Sequence, residues 1–70
     1  MFEIRSYSKQ ELAMLYFPHH TPRAAVQNLM SWVRRNEELT EALHAAHLSR
    51  CAKMLSPKQV RLIVEYLDEP

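Results

Sequence analysis

"ELAMLYFPHHTPRAAVQNLMSWVRR", residues 11–35, holds two apolar-periodic segments separated by a proline-marked break. Leu12, Leu15 and Tyr16 form the stripe of the first segment. Pro18 ends it, because a residue that precedes proline is driven out of the helical region. Thr21-Pro22 opens the second segment in the favoured N-cap and N1 pairing. At about 100° per residue, Ala25, Val26, Leu29, Trp32 and Val33 fall on one side of this helix. Arg23, Gln27, Ser31 and Arg34 fall on the other. A short helix, a turn and a longer amphipathic helix with a cationic outer face follow the order of a helix-turn-helix.

Upstream, Phe2, Ile4 and Tyr7 alternate loosely with Glu3, Arg5 and Ser6, which fits a short strand or an extended arm. Ser8-Lys9-Gln10-Glu11 then matches a capping box: the serine hydroxyl accepts from the fourth residue's N–H, and the glutamate reaches back. Downstream, Asn36 caps a third helix over 37–47, with Leu39, Leu43 and Ala46 on its inner stripe and Ala42 beside them. Residues 48–55 carry no helical stripe and suit a loop or short strand. Ser56-Pro57-Lys58-Gln59 is a second capping box, and the last helix turns Val60, Ile63, Val64 and Leu67 inward.

These segments predict a mainly α fold, a single domain over 1–70, with four helices on one core and a short N-terminal strand or arm. Leu12, Leu15, Val26, Leu29, Trp32, Leu39, Leu43, Val60, Ile63 and Leu67 are the expected core. Truncating Trp32 there is expected to cost about 3–5 kcal/mol. The chain has no glycine, so any left-handed residue must carry a side chain, and Asn36 and His47 are the candidates.

At 70 residues, 47% hydrophobic and 24% charged, the composition is that of a folded soluble domain rather than a disordered one. A chain this short buries only about 60% of its unfolded surface, so its stability is marginal. One cysteine excludes an internal disulfide and fits a reducing interior. The early charges in MFEIRSYSKQ argue against a signal peptide, and no apolar run approaches the ~20 residues of a membrane span. The expected location is the cytoplasm, with no membrane partner.

The net charge of +1 hides a segregation. No acid lies between Glu11 and Glu37, where Arg23, Arg34, Arg35, His19 and His20 fall. None lies between Glu41 and Glu65, where Arg50, Lys53, Lys58 and Arg61 fall. Acids gather at Glu37, Glu38 and Glu41 and in the tail, partly because helix N-termini favour them. Such segregation gives a near-neutral protein one basic face.

Zinc requires three or four converging ligands. His44, His47 and Cys51 match no strong spacing, and the neighbours His19 and His20 point apart, so no metal is expected. Cys51 lacks an evident base, and the chain offers little room for a substrate pocket. Without glycine there is neither a phosphate loop nor a serine elbow. The reading is therefore of a non-enzyme with no catalytic residues, no cofactor and no small-molecule substrate.

Helix 22–35 carries the functional signal. Arginine pairs bidentately with guanine, and glutamine or asparagine with adenine. Arg23, Gln27, Asn28 and Ser31 are the base-edge candidates, since early residues of a recognition helix reach the bases. Lys9, Arg34, Arg35, Arg50, Lys53 and Lys58 are the phosphate candidates. The plainer account of the same residues is a solvated polar face.

The stretches YSKQELAMLYFP, TPRAAVQNLMSW, ELTEAL and SPKQVRLIVEYLDEP together resemble a small family of uncharacterised proteins, a domain of unknown function found mainly in Bacteroides-type gut bacteria. The resemblance spans nearly the whole chain and rests on Glu11-Leu12-Ala13, Leu15-Tyr16-Phe17-Pro18, Trp32 and Gln59-Val60. Two glycines of the family pattern are missing: its Gly-Tyr stands here as His47-Leu48, and its Leu-Gly-Glu-Pro as Leu67-Asp68-Glu69-Pro70. More remotely, the order looks like MerR-type and excisionase-type winged helix-turn-helix domains. That likeness implies a recognition helix at 22–35 and a rudimentary wing at 47–55. The expected function is DNA binding in an accessory or transcriptional regulatory role, on double-stranded DNA. The alternative is a protein-interaction or adaptor module, as a homodimer or with another protein, presenting Met14, Phe17, Met30 or Leu62 and binding no nucleic acid.

Overall fold

The computed structural model describes residues 2–48 and 52–70. Among these residues the elements follow in the order β1 (Tyr7–Ser8), α1 (Lys9–Tyr16), α2 (Pro22–Arg35), α3 (Glu37–Ala45), β2 (Met54–Leu55) and α4 (Pro57–Leu67). The two strands pair antiparallel, Tyr7 opposite Leu55 and Ser8 opposite Met54. The fold is mainly α, four helices with one short ribbon.

Local chemistry sets each helix start. Ser8 Oγ accepts from the Glu11 N–H at 3.0 Å while Glu11 Oε1 accepts from the Ser8 N–H at 3.0 Å. Ser56 and Gln59 repeat the box at 3.2 and 2.9 Å. Thr21 caps α2 through the Ala24 N–H, and Asn36 caps α3 through the Leu39 N–H. Each box or cap satisfies N–H groups that a helix leaves unpaired.

α1 packs chiefly on α2, α3 packs on α2 and α4, and β2 joins α4 to the N-terminal arm. Tyr7, Leu12, Ala13, Ala25, Leu29, Val33, Leu39, Leu43, Leu55, Val60 and Ile63 form the shared core. Thr40 Oγ1 donates to the Val33 carbonyl at 2.8 Å, fixing α3 to the end of α2.

Two expected core residues lie outside. Leu15 is 47% exposed and Trp32 40% exposed. In α1 the buried pair is Leu12 and Ala13, so the inward face is centred between them. Leu15 lies about 110° from that centre and Tyr16 close to it. In α2 the inward residues are Ala25, Leu29 and Val33. Trp32 is about 60° off their axis, and so is Val26 on the other flank. Val26 and Leu67 are partly buried, packed against the core.

The left-handed positions also differ in part. Asn36 is extended, with φ −102° and ψ 100°. His47 (φ 66°) and Asp68 (φ 68°) hold positive φ. α3 stops at Ala45, two residues before its expected end, and His47 forms the left-handed step of its C-cap. There the Leu48 N–H reaches the Leu43 carbonyl and the His47 N–H the His44 carbonyl, both at 3.0 Å. That pair of bonds is the Schellman arrangement, which normally uses glycine at this step. Of the wing expected at 47–55, Ser49, Arg50 and Cys51 lie outside the described residues. The strand that follows them pairs with the N-terminal arm.

Candidate nucleic-acid interface

The outward stripe of α2 is set by phase. Arg23, Gln27, Met30 and Arg34 lie within about 60° of one another round the helix. The core residues Ala25 and Leu29 are on the far side, so burying them forces this stripe outward.

Two shallow hollows run along it. The first, about 700 Å³, is lined by Ser8, Lys9, Gln10, Arg23, Val26, Gln27, Ala52 and Lys53. The second, about 680 Å³, lies further along α2 and adds Met30, Arg34, Thr40 and His44 over the apolar Val33, Leu43 and Leu48. Lys9 borders both. It is placed there by the ribbon, since its N–H donates to the Lys53 carbonyl at 2.9 Å. The same bond brings Lys53, forty-four positions away in sequence, to the hollow that Arg23 also lines.

Among the described residues, no acidic side chain lines either hollow. Glu37 and Glu38 instead border a third hollow, with Trp32, Arg35 and Asn36. The acidic tail runs beside Tyr16, whose hydroxyl donates to the Asp68 carbonyl. Burial, and then the charges of Asp68 and Glu69, push the Tyr16 phenol up to about 12. The two hollows along the Arg23 side are thus lined by cations without acids, while the hollow beside Trp32 holds Arg35 together with Glu37 and Glu38. Cations gathered without acids in this way favour an anionic partner.

The candidate residues divide accordingly. Arg23, Gln27, Lys9, Arg34 and Lys53 come together around the stripe. Asn28 and Ser31 lie about 140° and 80° round the helix from Arg23, both partly buried. Arg35 stands with the acids at the third hollow. Lys58, exposed near the start of α4, borders neither hollow along the stripe. Arg50 lies outside the described residues. Met30, Gln10 and His44 line the face but were not singled out for it by sequence. Met30, seven residues after Arg23, is the one that helical spacing would have found.

Among the described residues, no three His, Cys, Asp or Glu side chains converge on a metal position. The third member of the His44, His47 and Cys51 set lies outside them. No helix of the described residues is long and apolar enough to cross a membrane.

A family match runs over residues 3–70, taking in both strands, all four helices and the acidic tail. The chain belongs to the family described as Domain of unknown function (DUF4248). The DUF4248 match covers the ribbon, the cationic stripe and the aromatic side of α2 as one unit. No curated protein and no solved structure matches the chain at a significant level.

Proposed function

We propose that this DUF4248 domain binds double-stranded DNA in an accessory or transcriptional regulatory role, with α2 as its recognition helix. The observation that carries the reading is the acid-free stripe of Arg23, Gln27 and Arg34, flanked by Lys9 and Lys53. Arg23 and Gln27 occupy the first two turns of α2, the part that reaches base edges in helix-turn-helix proteins. Arg34, Lys9 and Lys53 serve the phosphates, which fix orientation without reading sequence.

The element order supports the reading too. A short strand, α1, a turn and α2 follow the arrangement of MerR-type and excisionase-type domains, which the sequence resembles. On this account the domain acts by binding, without catalysis or cofactor, in the cytoplasm of a bacterium of Bacteroides type.

Fluorescence anisotropy with labelled duplexes at low salt tests the proposal. Wild-type protein is expected to bind, and Arg23→Ala to flatten its preference among sequences. A folded protein that binds no duplex at micromolar concentration would sink the reading.

A further inference from the structure

The side of α2 away from the cationic stripe carries a second surface. Phe17 and Trp32 meet edge to face with ring centroids 4.7 Å apart, and Tyr16 and Trp32 do so at 6.4 Å. His20 closes on Phe17 at 5.5 Å. Trp32 nevertheless leaves 40% of its surface in water. An indole held by two aromatic neighbours has already lost its freedom, so covering it costs little entropy. Tryptophan and arginine are also the residue types enriched where binding energy concentrates.

The charges around Trp32 indicate what covers it. Arg35, Glu37 and Glu38 share its hollow, of about 530 Å³. None of the three makes an ion pair with a described residue. Both signs within one small patch disfavour a uniformly basic partner and a uniformly acidic one, nucleic acid included. They suit a surface carrying the same two signs reversed. Two-fold symmetry produces that surface from a second copy, because residue i then meets j while j meets i.

We propose that this corner is the interface of a symmetric homodimer. Trp32 and Phe17 of each protomer cover one another's aromatic faces, and Arg35 of each meets Glu37 and Glu38 of its partner. The contact leaves the Arg23 stripes of both protomers uncovered, and it holds whether or not the stripe binds DNA.

Sedimentation velocity over a range from micromolar to millimolar protein tests the proposal, with emission from Trp32, the single tryptophan, as a second readout. The expected result is concentration-dependent association with a blue shift of the indole emission. Trp32→Ala should weaken association about thirtyfold. Arg35→Glu and Glu38→Arg should each weaken it about tenfold, while an equimolar mixture of the two associates more strongly than either alone. Arg23→Ala should leave association unchanged, which separates this result from that of the DNA experiment. Far-UV circular dichroism confirms that each variant is folded. If Trp32→Ala fails to fold, the exposed charge variants decide. A chain monomeric throughout the range would overturn the proposal, as would association unaffected by the charge variants or a mixture no stronger than its components.

Discussion

Arg23 and Trp32 stand on opposite sides of α2, nine residues and therefore about 180° apart round the helix. Arg23 borders a hollow without acids, and Trp32 borders one with Glu37 and Glu38. One fourteen-residue helix thus separates two surfaces of different chemistry. Its third side, carrying Ala25, Leu29 and Val33, anchors it to the core.

That placement lowers the stability expected to be lost with the indole. With 40% of its surface in water, Trp32→Ala should cost about 2 kcal/mol, below the range for buried aromatics. Leu29 is fully buried, and Leu29→Ala should cost about 2–5 kcal/mol. Urea unfolding of the two variants checks the order. If Trp32→Ala were the more damaging, the indole would be part of the core after all.

Gln59 makes the second prediction. It is 7% exposed and bonds through both polar atoms of its amide. Its Oε1 accepts from the Ser56 N–H, and its Nε2 donates to the Ala46 carbonyl at 3.0 Å. One side chain therefore caps the start of α4 and ties it to the end of α3. Gln59→Leu should cost about 1–3 kcal/mol, since it leaves the Ala46 carbonyl and the Ser56 N–H without that partner. A denaturation midpoint equal to wild type would show that water replaces both bonds freely.

His47 and Asp68 make the third. Both hold positive φ, where a side chain strains the backbone and glycine does not. His47→Gly and Asp68→Gly should each stabilise the fold by about 0.5–1 kcal/mol. Thermal melts of the single and double variants check this. A lower midpoint for His47→Gly would mean that the imidazole contributes more than the strain costs.

Much of this was legible in sequence, and the gaps have physical causes. Capping boxes and proline positions are local, so the starts of α1, α2 and α4 followed from Ser8, Thr21 and Ser56 directly. The burial of Tyr7 and Leu55 was not legible, because it depends on a two-residue ribbon between segments almost fifty positions apart. The exposure of Leu15 was hidden because eight residues make too few turns to fix the phase of α1. At the cationic stripe, the shared face of Arg23, Gln27 and Arg34 followed from α2's periodicity. Arg35 stands about 100° round the helix from Arg34, beside Glu37 and Glu38, and Lys53 is brought to the stripe by the ribbon and the bond to Lys9, which sequence spacing does not show.

Tyr16 gives a pH signature. Its folded phenol, at about 12, is raised above the ordinary 10 by burial first and then by Asp68 and Glu69. The neutral form is therefore favoured by folding. The resulting stability is fully present below pH 10 and is lost as pH rises through about 12. Ultraviolet titration should show a tyrosinate step near pH 12, absent in Tyr16→Phe. A step for Tyr16 at pH 10 in the folded chain would detach the tail from α1.

Duplex affinity as a function of salt tests the central claim most directly. Lys9, Arg23, Arg34 and Lys53 together can neutralise about 4 phosphates, so log affinity should fall with log salt at a slope of about −3.6. Lys53→Ala should reduce the steepness by about 1 and weaken all sequences alike. Arg35→Ala, on the far side of α2, should leave the slope unchanged. A slope near zero, or one reduced by Arg35→Ala and untouched by Lys53→Ala, would contradict the assignment of the Arg23 side of α2 as the nucleic-acid face.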